Sequence, residues 1–325
     1  MSHKTDQDPN DLKDDAHAAS VIPESIADGV DEDVVEPNRR LFTGWQFLLF
    51  AALAIAYSSF HLISLNVYPM ETWSFRIVHI AGALILGYGL FSGARFADDD
   101  HQASGAWIKW LSYALLIPAA YTLAQVLLMY QTLSGGAMRI DPSIENWHYG
   151  YPLMATTAAA VVLSWFYPAD LVLMVCALAS AGYLLVAYNT NIRMSTGTSF
   201  APSGISWAAI AGSLLILELT RRVAGLALVV ISAVFLTYVF AGPYLPGFLG
   251  YPGLSLQRFF SQVYTDAGIL GPTTAVSSTY IILFIIFAAF LQASKVGDYF
   301  VNFAFAAAGR ARGGPAKVAI FASGL

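Results

Sequence analysis

The chain has 325 residues, of which 57% are hydrophobic and 11% charged, and its mean hydropathy is +0.60. A soluble globular protein carries roughly 45–50% apolar and about 25% charged residues, so a water-soluble enzyme of this length is excluded. The single cysteine, Cys176, rules out an intramolecular disulfide and a thiolate zinc cluster, and six scattered histidines show no metal-ligand spacing.

The formal net charge of -5 divides unevenly along the chain. Residues 1–40 hold 11 acidic and 4 basic residues, whereas residues 41–325 hold 10 acidic and 12 basic. A mildly positive body beside lipid suits a polytopic protein and offers no footprint for nucleic acid. The first 40 residues lack apolar periodicity, contain Pro9, Pro23 and Pro37, and carry acidic runs such as Asp31-Glu32-Asp33. They bury too little apolar surface to order themselves and read as a disordered acidic cytoplasmic tail; they have neither the basic start nor the short apolar core of a secretory signal.

A helix crossing the hydrocarbon core needs about 20 mostly apolar residues. In chain order the candidate spans are Thr43–Leu65, Phe75–Phe91, Ile108–Met129, Tyr151–Phe166, Asp170–Tyr188, Gly204–Leu219, Val223–Ala241 and Val276–Ser294. The fourth and sixth are short, and a ninth run starts at Pro315. The expected fold is therefore all-α and polytopic, with about eight transmembrane helices. With the N-terminus in the cytoplasm, 12 Lys and Arg residues fall on the inner side and 4 on the outer, the bias expected of inward-facing loops. Trp45, Trp73, Trp107, Trp110, Trp147 and Trp207 lie near span ends, as an aromatic belt requires. Two further stretches, Leu256–Asp266 and Asp298–Ala308, are amphipathic and are expected to lie along the interface.

Charges within lipid cost about 2.5–3.5 kcal/mol each on insertion scales, so each one needs a reason. Arg76 and His79 sit one turn apart on the second span and read either as an anion contact or proton relay, or as a snorkelling arginine beside a packed histidine. His61, at the outer end of the first span, is their conjectured neighbour. Glu218 precedes Arg221 and Arg222 by three and four positions, one helical face, and reads as an anchor at the membrane edge. Asp170 reads as an ordinary helix cap. The stretch Gly271-Pro272-Thr273-Thr274 followed by Ser277, Ser278 and Thr279 reads in two ways: broken backbone lining a hydrated cavity, or hydroxyls capping the helix and bonding its neighbours. Arg310-Ala311-Arg312-Gly313-Gly314-Pro315 lacks the spacing of a phosphate loop. No nucleophile, base and orienting acid converge, and no carboxylate pair lies within a span, so the reading is not an enzyme.

Several segments carry a resemblance. These are Leu217-Glu218-Leu219-Thr220-Arg221-Arg222-Val223-Ala224-Gly225, Tyr238-Val239-Phe240-Ala241-Gly242-Pro243-Tyr244-Leu245-Pro246-Gly247, and the stretch from Ser277-Ser278-Thr279-Tyr280 to Gly309-Arg310-Ala311-Arg312-Gly313-Gly314-Pro315-Ala316-Lys317. Together they resemble the fused permease of tripartite ATP-independent periplasmic (TRAP) transporters of the TAXI subgroup; Arg76-Ile77-Val78-His79 and the spans up to Tyr188 resemble its variable N-terminal part more loosely. The resemblance implies three parts: the tail at 1–40, small-subunit-like helices over 41–203, and the beginning of the large-subunit, DctM-like domain over 204–325. It also implies secondary active transport in the bacterial inner membrane. A periplasmic TAXI-type binding protein supplies an organic carboxylate, which moves inward with sodium by an elevator-type motion. No cofactor is implied, only the coupling sodium ion. The family's ion and substrate sites lie on helical hairpins that follow Val318-Ala319-Ile320-Phe321-Ala322-Ser323-Gly324-Leu325, so no substrate-binding residue transfers onto this sequence. The expectation is an N-terminal permease part that does not transport alone and needs a C-terminal part or partner subunit. The alternative is a non-transporting membrane scaffold subunit of a split transporter.

Overall fold

The computed structural model describes residues 39–93, 106–187, 195–198, 200–309 and 313–324. The acidic tail, apart from Arg39 and Arg40, lies outside the described residues, as does Arg310. Every regular element of three or more residues among those described is helical. The helices are α1 (Gly44–Asn66), α2 (Thr72–Leu90), α3 (Ala106–Ala114), α4 (Leu116–Ser134), α5 (Tyr151–Leu163) and α6 (Asp170–Ala187). They continue with α7 (Ser203–Ala224), α8 (Leu226–Ala241), α9 (Leu256–Val263), α10 (Pro272–Ala293), α11 (Val296–Ala308) and α12 (Gly314–Gly324).

Helix α6 is the hub, packed on α2, α4, α5 and α7. Its buried face includes Cys176, Ala177, Ala179 and Ser180, and the facing side of α7 carries Gly204, Ala208, Ala209, Ala211 and Gly212. Without a hydrophobic driving force between helices in lipid, such small residues give association its strength by letting backbones approach. Larger side chains fill the remaining space: Tyr88, Tyr149, Tyr183, Leu153, Leu173 and Leu215 are fully buried.

The helix termini sort into two ends. One end, called the basic end here, gathers Arg40 ahead of α1, Phe91 after α2, Ser164 after α5, Asp170 at the head of α6 and Arg222 in the last turn of α7. The far end gathers Glu145 before α5, Tyr183 near the end of α6 and Ser203 at the head of α7. Helix α6 therefore runs antiparallel to both α5 and α7 over a common depth.

Among the described residues seven helices are long and apolar enough to cross a membrane, one fewer than the sequence led us to expect. The exception is the fourth segment, where α5 has only 13 residues. A π-helical turn, Ile144–Gly150, extends it at the far end. The continuous helix over 144–163 then covers about 30 Å, the hydrocarbon thickness, and reaches from Glu145 at one end to Ser164 at the other. Its polar first turns, with Glu145, Asn146 and His148, are what hid this length. The sixth segment is also longer than expected: α7 has 22 residues and keeps Glu218, Arg221 and Arg222 helical.

Helices α7 and α8 meet at Gly225 alone, whose φ of 84° and ψ of -179° turn the chain without a loop. That conformation is essentially restricted to glycine. The amphipathic stretch 256–266 forms α9, but its aromatic face packs on the bundle instead of floating on lipid. Phe240, Phe259 and Phe260 cluster there, and Phe260 and Tyr264 are buried. In α11 the expected apolar side is exposed at Tyr299 and Phe303. The packed face is the alanine side, where Ala304 and Ala308 meet Val318 of α12 in a helical hairpin.

Candidate functional site

Two buried polar constellations stand out. At the basic end, Glu218 accepts from Arg222 Nε at 2.8 Å, from Arg221 Nε and Nη2 at 2.8 Å each, and from the Ser164 hydroxyl at 2.8 Å. Arg222 Nη1 donates to Asp170 at 2.5 Å and to the Phe91 carbonyl at 2.9 Å, and Arg221 Nη2 donates to the Gly93 carbonyl at 3.0 Å. Arg40 donates to the second oxygen of Asp170. The side chains of Arg222 and Glu218 are 0% and 1% exposed. Such a pair withstands burial only because nearly every remaining lone pair and proton is matched; Arg222 Nη2 is the one atom of it left over.

This arrangement corrects one expectation. Asp170 is not an ordinary cap but the second acid of the cluster, bridging Arg222 and Arg40. One acid against two bases at a buried helix end leaves a cation to be matched, and that imbalance was the available signal. Glu218, Arg221 and Arg222 do act together as their spacing implied. Their company from four other chain segments makes the cluster a clamp: it ties the ends of α2, α5, α6 and α7, and the chain ahead of α1, at one depth.

The second constellation lies within the helices. His61, 0% exposed, is the only residue of α1 that is buried. Its Nε2 lies 2.9 Å from His79 Nδ1 of α2, and its Nδ1 lies 2.8 Å from the Tyr57 carbonyl oxygen. The Tyr57 hydroxyl sits 2.8 Å from His79 Nδ1 and donates to the His79 carbonyl oxygen at 2.9 Å. His79 Nε2 lies 3.2 Å from the Ser277 hydroxyl of α10. The Tyr57 ring can enter because α2 has Gly82 there: a Cβ at that position would lie 2.3 Å from it. Phe60 and Phe75 shield the His61 ring edge-on or at an angle. The conjectured neighbour of His79 is thus in direct contact with it, while Tyr57, one turn before His61, went unremarked.

Arg76 does not join this group. It pairs with Asp266 at 3.0 Å and donates to the Leu270 carbonyl, and Trp73 Nε1 donates to the same carboxylate at 2.9 Å. The far end of α2 is thereby pinned to the turn after α9. Trp73 and Trp207, whose Nε1 donates to Asn146 at 2.8 Å, are struts instead of belt residues, whereas Trp45, Trp107, Trp110 and Trp147 are exposed. Beside the strut, burial pushes the Tyr264 phenol above its usual range.

The hydroxyl-rich start of α10 divides its labour. Its backbone is not broken: Pro272 occupies the first turn and a π-helical turn over Ser277–Ile281 continues the helix. Ser278 and Thr279 both donate back to the Ala275 carbonyl and serve the helix itself. Ser277 instead faces His79. With Thr220, Thr273 and Thr274, these two residues line a cavity of about 460 Å³ between α2, α7 and α10. Gly313, at φ 77°, and Gly314, where a Cβ would lie 2.1 Å from the Gly309 carbonyl oxygen, form the tight turn of the α11–α12 hairpin. At the far end, Arg139, Glu145, Asn146, Ser203 and Gln257, with the apolar Phe200, Ile210 and Leu256, line a cleft of about 600 Å³. Glu145, unnoticed in the sequence, is 2% exposed and accepts from the Tyr183 hydroxyl at 2.7 Å and the Ser203 hydroxyl at 3.1 Å. No group of three or more metal-ligating side chains occurs among the described residues.

Residues 211–325 match the family described as tripartite ATP-independent periplasmic transporter, DctM component. No curated protein and no solved structure matches the chain. The protein is a multi-pass, all-helical membrane protein whose last third is similar to the membrane component of a TRAP transporter.

Proposed function

We propose that this chain is a permease component of a TRAP-type secondary transporter of the TAXI subgroup, set in the bacterial inner membrane with its N-terminus in the cytoplasm. It takes part in importing an organic carboxylate, handed over by a soluble periplasmic binding protein and driven by sodium. The observation that carries the reading is the DctM match over 211–325, on a chain built of membrane-length helices. The division of the fold supports it: α2 and α4–α7 form a clamped bundle suited to a fixed scaffold, while α8 and the second half of α10 bury no residue and are free to meet a moving part. The excess of Lys and Arg on one side supports the orientation. The far-end cleft, with Arg139 at its rim, is then the outward surface that receives the carboxylate's carrier.

Deleting the gene is expected to abolish sodium-dependent uptake of at least one organic carboxylate by whole cells, and re-expression to restore it. Unchanged uptake across a panel of mono- and dicarboxylates overturns the proposal.

A further inference from the structure

We propose that His61, His79 and Ser277 form a binding site for a single proton, and that its occupancy sets the direction of the hydrogen bond joining α2 to α10. The argument rests on the side-chain geometry and is independent of the transport reading.

A carbonyl oxygen only accepts, so the Tyr57 carbonyl requires the hydrogen of His61 to sit on Nδ1, which leaves Nε2 of the neutral ring as an acceptor. His79 Nδ1, 2.9 Å away, then carries a hydrogen and donates to it, and His79 Nε2 is left to accept from the Ser277 hydroxyl. Every ring nitrogen is satisfied with both histidines neutral. An added proton has one place to go without breaking this chain, namely His79 Nε2. That nitrogen then donates to Ser277 Oγ, and the serine hydrogen turns to a carbonyl one turn back, as Ser278 and Thr279 already do. A second proton would have to lie on His61 Nε2, aimed at the His79 Nδ1 hydrogen across 2.9 Å. The pair therefore holds one proton or none.

The surroundings leave that charge to the pair. Besides His61 itself, the titratable side chain that α1 brings to the pair is Tyr57, and Arg76 on α2 is engaged by Asp266 and the Leu270 carbonyl. The α6 side opposite Tyr57 is apolar, with Leu178, Ala181, Gly182 and Leu185. From α7 the nearest polar group on the shared cavity is the Thr220 hydroxyl. Among the described residues no carboxylate is hydrogen-bonded to either ring. The proton has a route, because His79 and Ser277 open on the 460 Å³ cavity. The acceptor on α10 lies on a π-helical turn, a feature that recurs at functional sites and gives the helix slack to adjust.

The test is a titration of the full chain in lipid nanodiscs, with 15N-labelled histidine, from about pH 8 to about pH 4. Signals are assigned by difference against His61→Gln and His79→Gln. The expected result is that the buried pair takes up one proton in total, with His79 Nε2 changing from acceptor to protonated nitrogen. Amide exchange over residues 272–281 should change with the same midpoint in the parent and stay flat in His79→Gln. Uptake of two protons, uptake of none, or exchange in that segment indifferent to the pair's titration each overturns the proposal. Should the glutamine variants not fold, the parent spectrum alone still counts the protons on the two buried rings.

Discussion

Helix α6 and the span that begins with α8, Leu226–Tyr244, are both apolar stretches of crossing length, yet 56% of the first is buried against 6% of the second. The difference lies in side-chain size. Helix α6 presents cysteine, alanine, serine and glycine to its neighbours, whereas α8 reads Leu226-Ala227-Leu228-Val229-Val230-Ile231 and buries nothing. Lipid tails are as apolar as leucine, so bulk hydrophobicity gives a helix no reason to prefer protein over lipid; close approach and internal hydrogen bonds do. The same contrast separates the clamped bundle of α2 and α4–α7 from the region that follows Gly225. The first region carries the buried ion cluster of Glu218, Arg222 and Asp170, and in the second the residues of α11 and α12 meet mainly one another.

The contrast can be broken most sharply at the clamp. Arg222→Met removes the one guanidinium shared by Asp170 and Glu218, leaving Asp170 to Arg40 and Glu218 to Arg221 and Ser164, and should cost up to about 3–5 kcal/mol, read as a large drop in the unfolding midpoint of the detergent-solubilised protein. A midpoint within a degree or two of the parent means the cluster does not hold the bundle. Next in size, Ala208→Leu on the buried face of α7 should cost about 1–3 kcal/mol by overpacking. The same change at the exposed Ala233 of α8 should be silent, and equal effects at the two sites erase the distinction between regions. Gly225→Ala, at the joint between them, forces a side chain into a glycine-only conformation at about 1–3 kcal/mol, seen in the same melting assay. The smallest effect belongs to Phe284→Ala on α10, 70% exposed, expected to stay within about 0.5 kcal/mol.

Helix positions were legible because apolar length is written locally; so was the Glu218–Arg221–Arg222 face, because three- and four-residue spacing is a property of one helix. What escaped was tertiary. Asp170 lies 52 positions from Arg222, and Ser277 lies 198 from His79, so no local pattern joins them. The tryptophans do sit towards helix ends, but Trp73 and Trp207 found protein acceptors that only the folded chain supplies. Amphipathicity marked a helix with two faces in 256–266, of which 256–263 is helical; whether lipid or protein covers the apolar face is decided by the cleft beside α7. The fourth crossing was blurred because a π-helical turn carries polar residues at depth.

That crossing supports the whole arrangement, since it puts Glu145 and the Glu218 ion cluster at opposite ends. Single cysteines at Ser143 and Phe166, both at exposed positions flanking the helix over 144–163, can be labelled with a membrane-impermeant thiol reagent in sealed and opened membranes. Cys176, the other thiol present, is buried and silent. The account predicts that the two positions react from opposite faces, with a cysteine at the exposed Leu41 reacting from the same face as Phe166. Labelling of positions 143 and 166 from one face contradicts it.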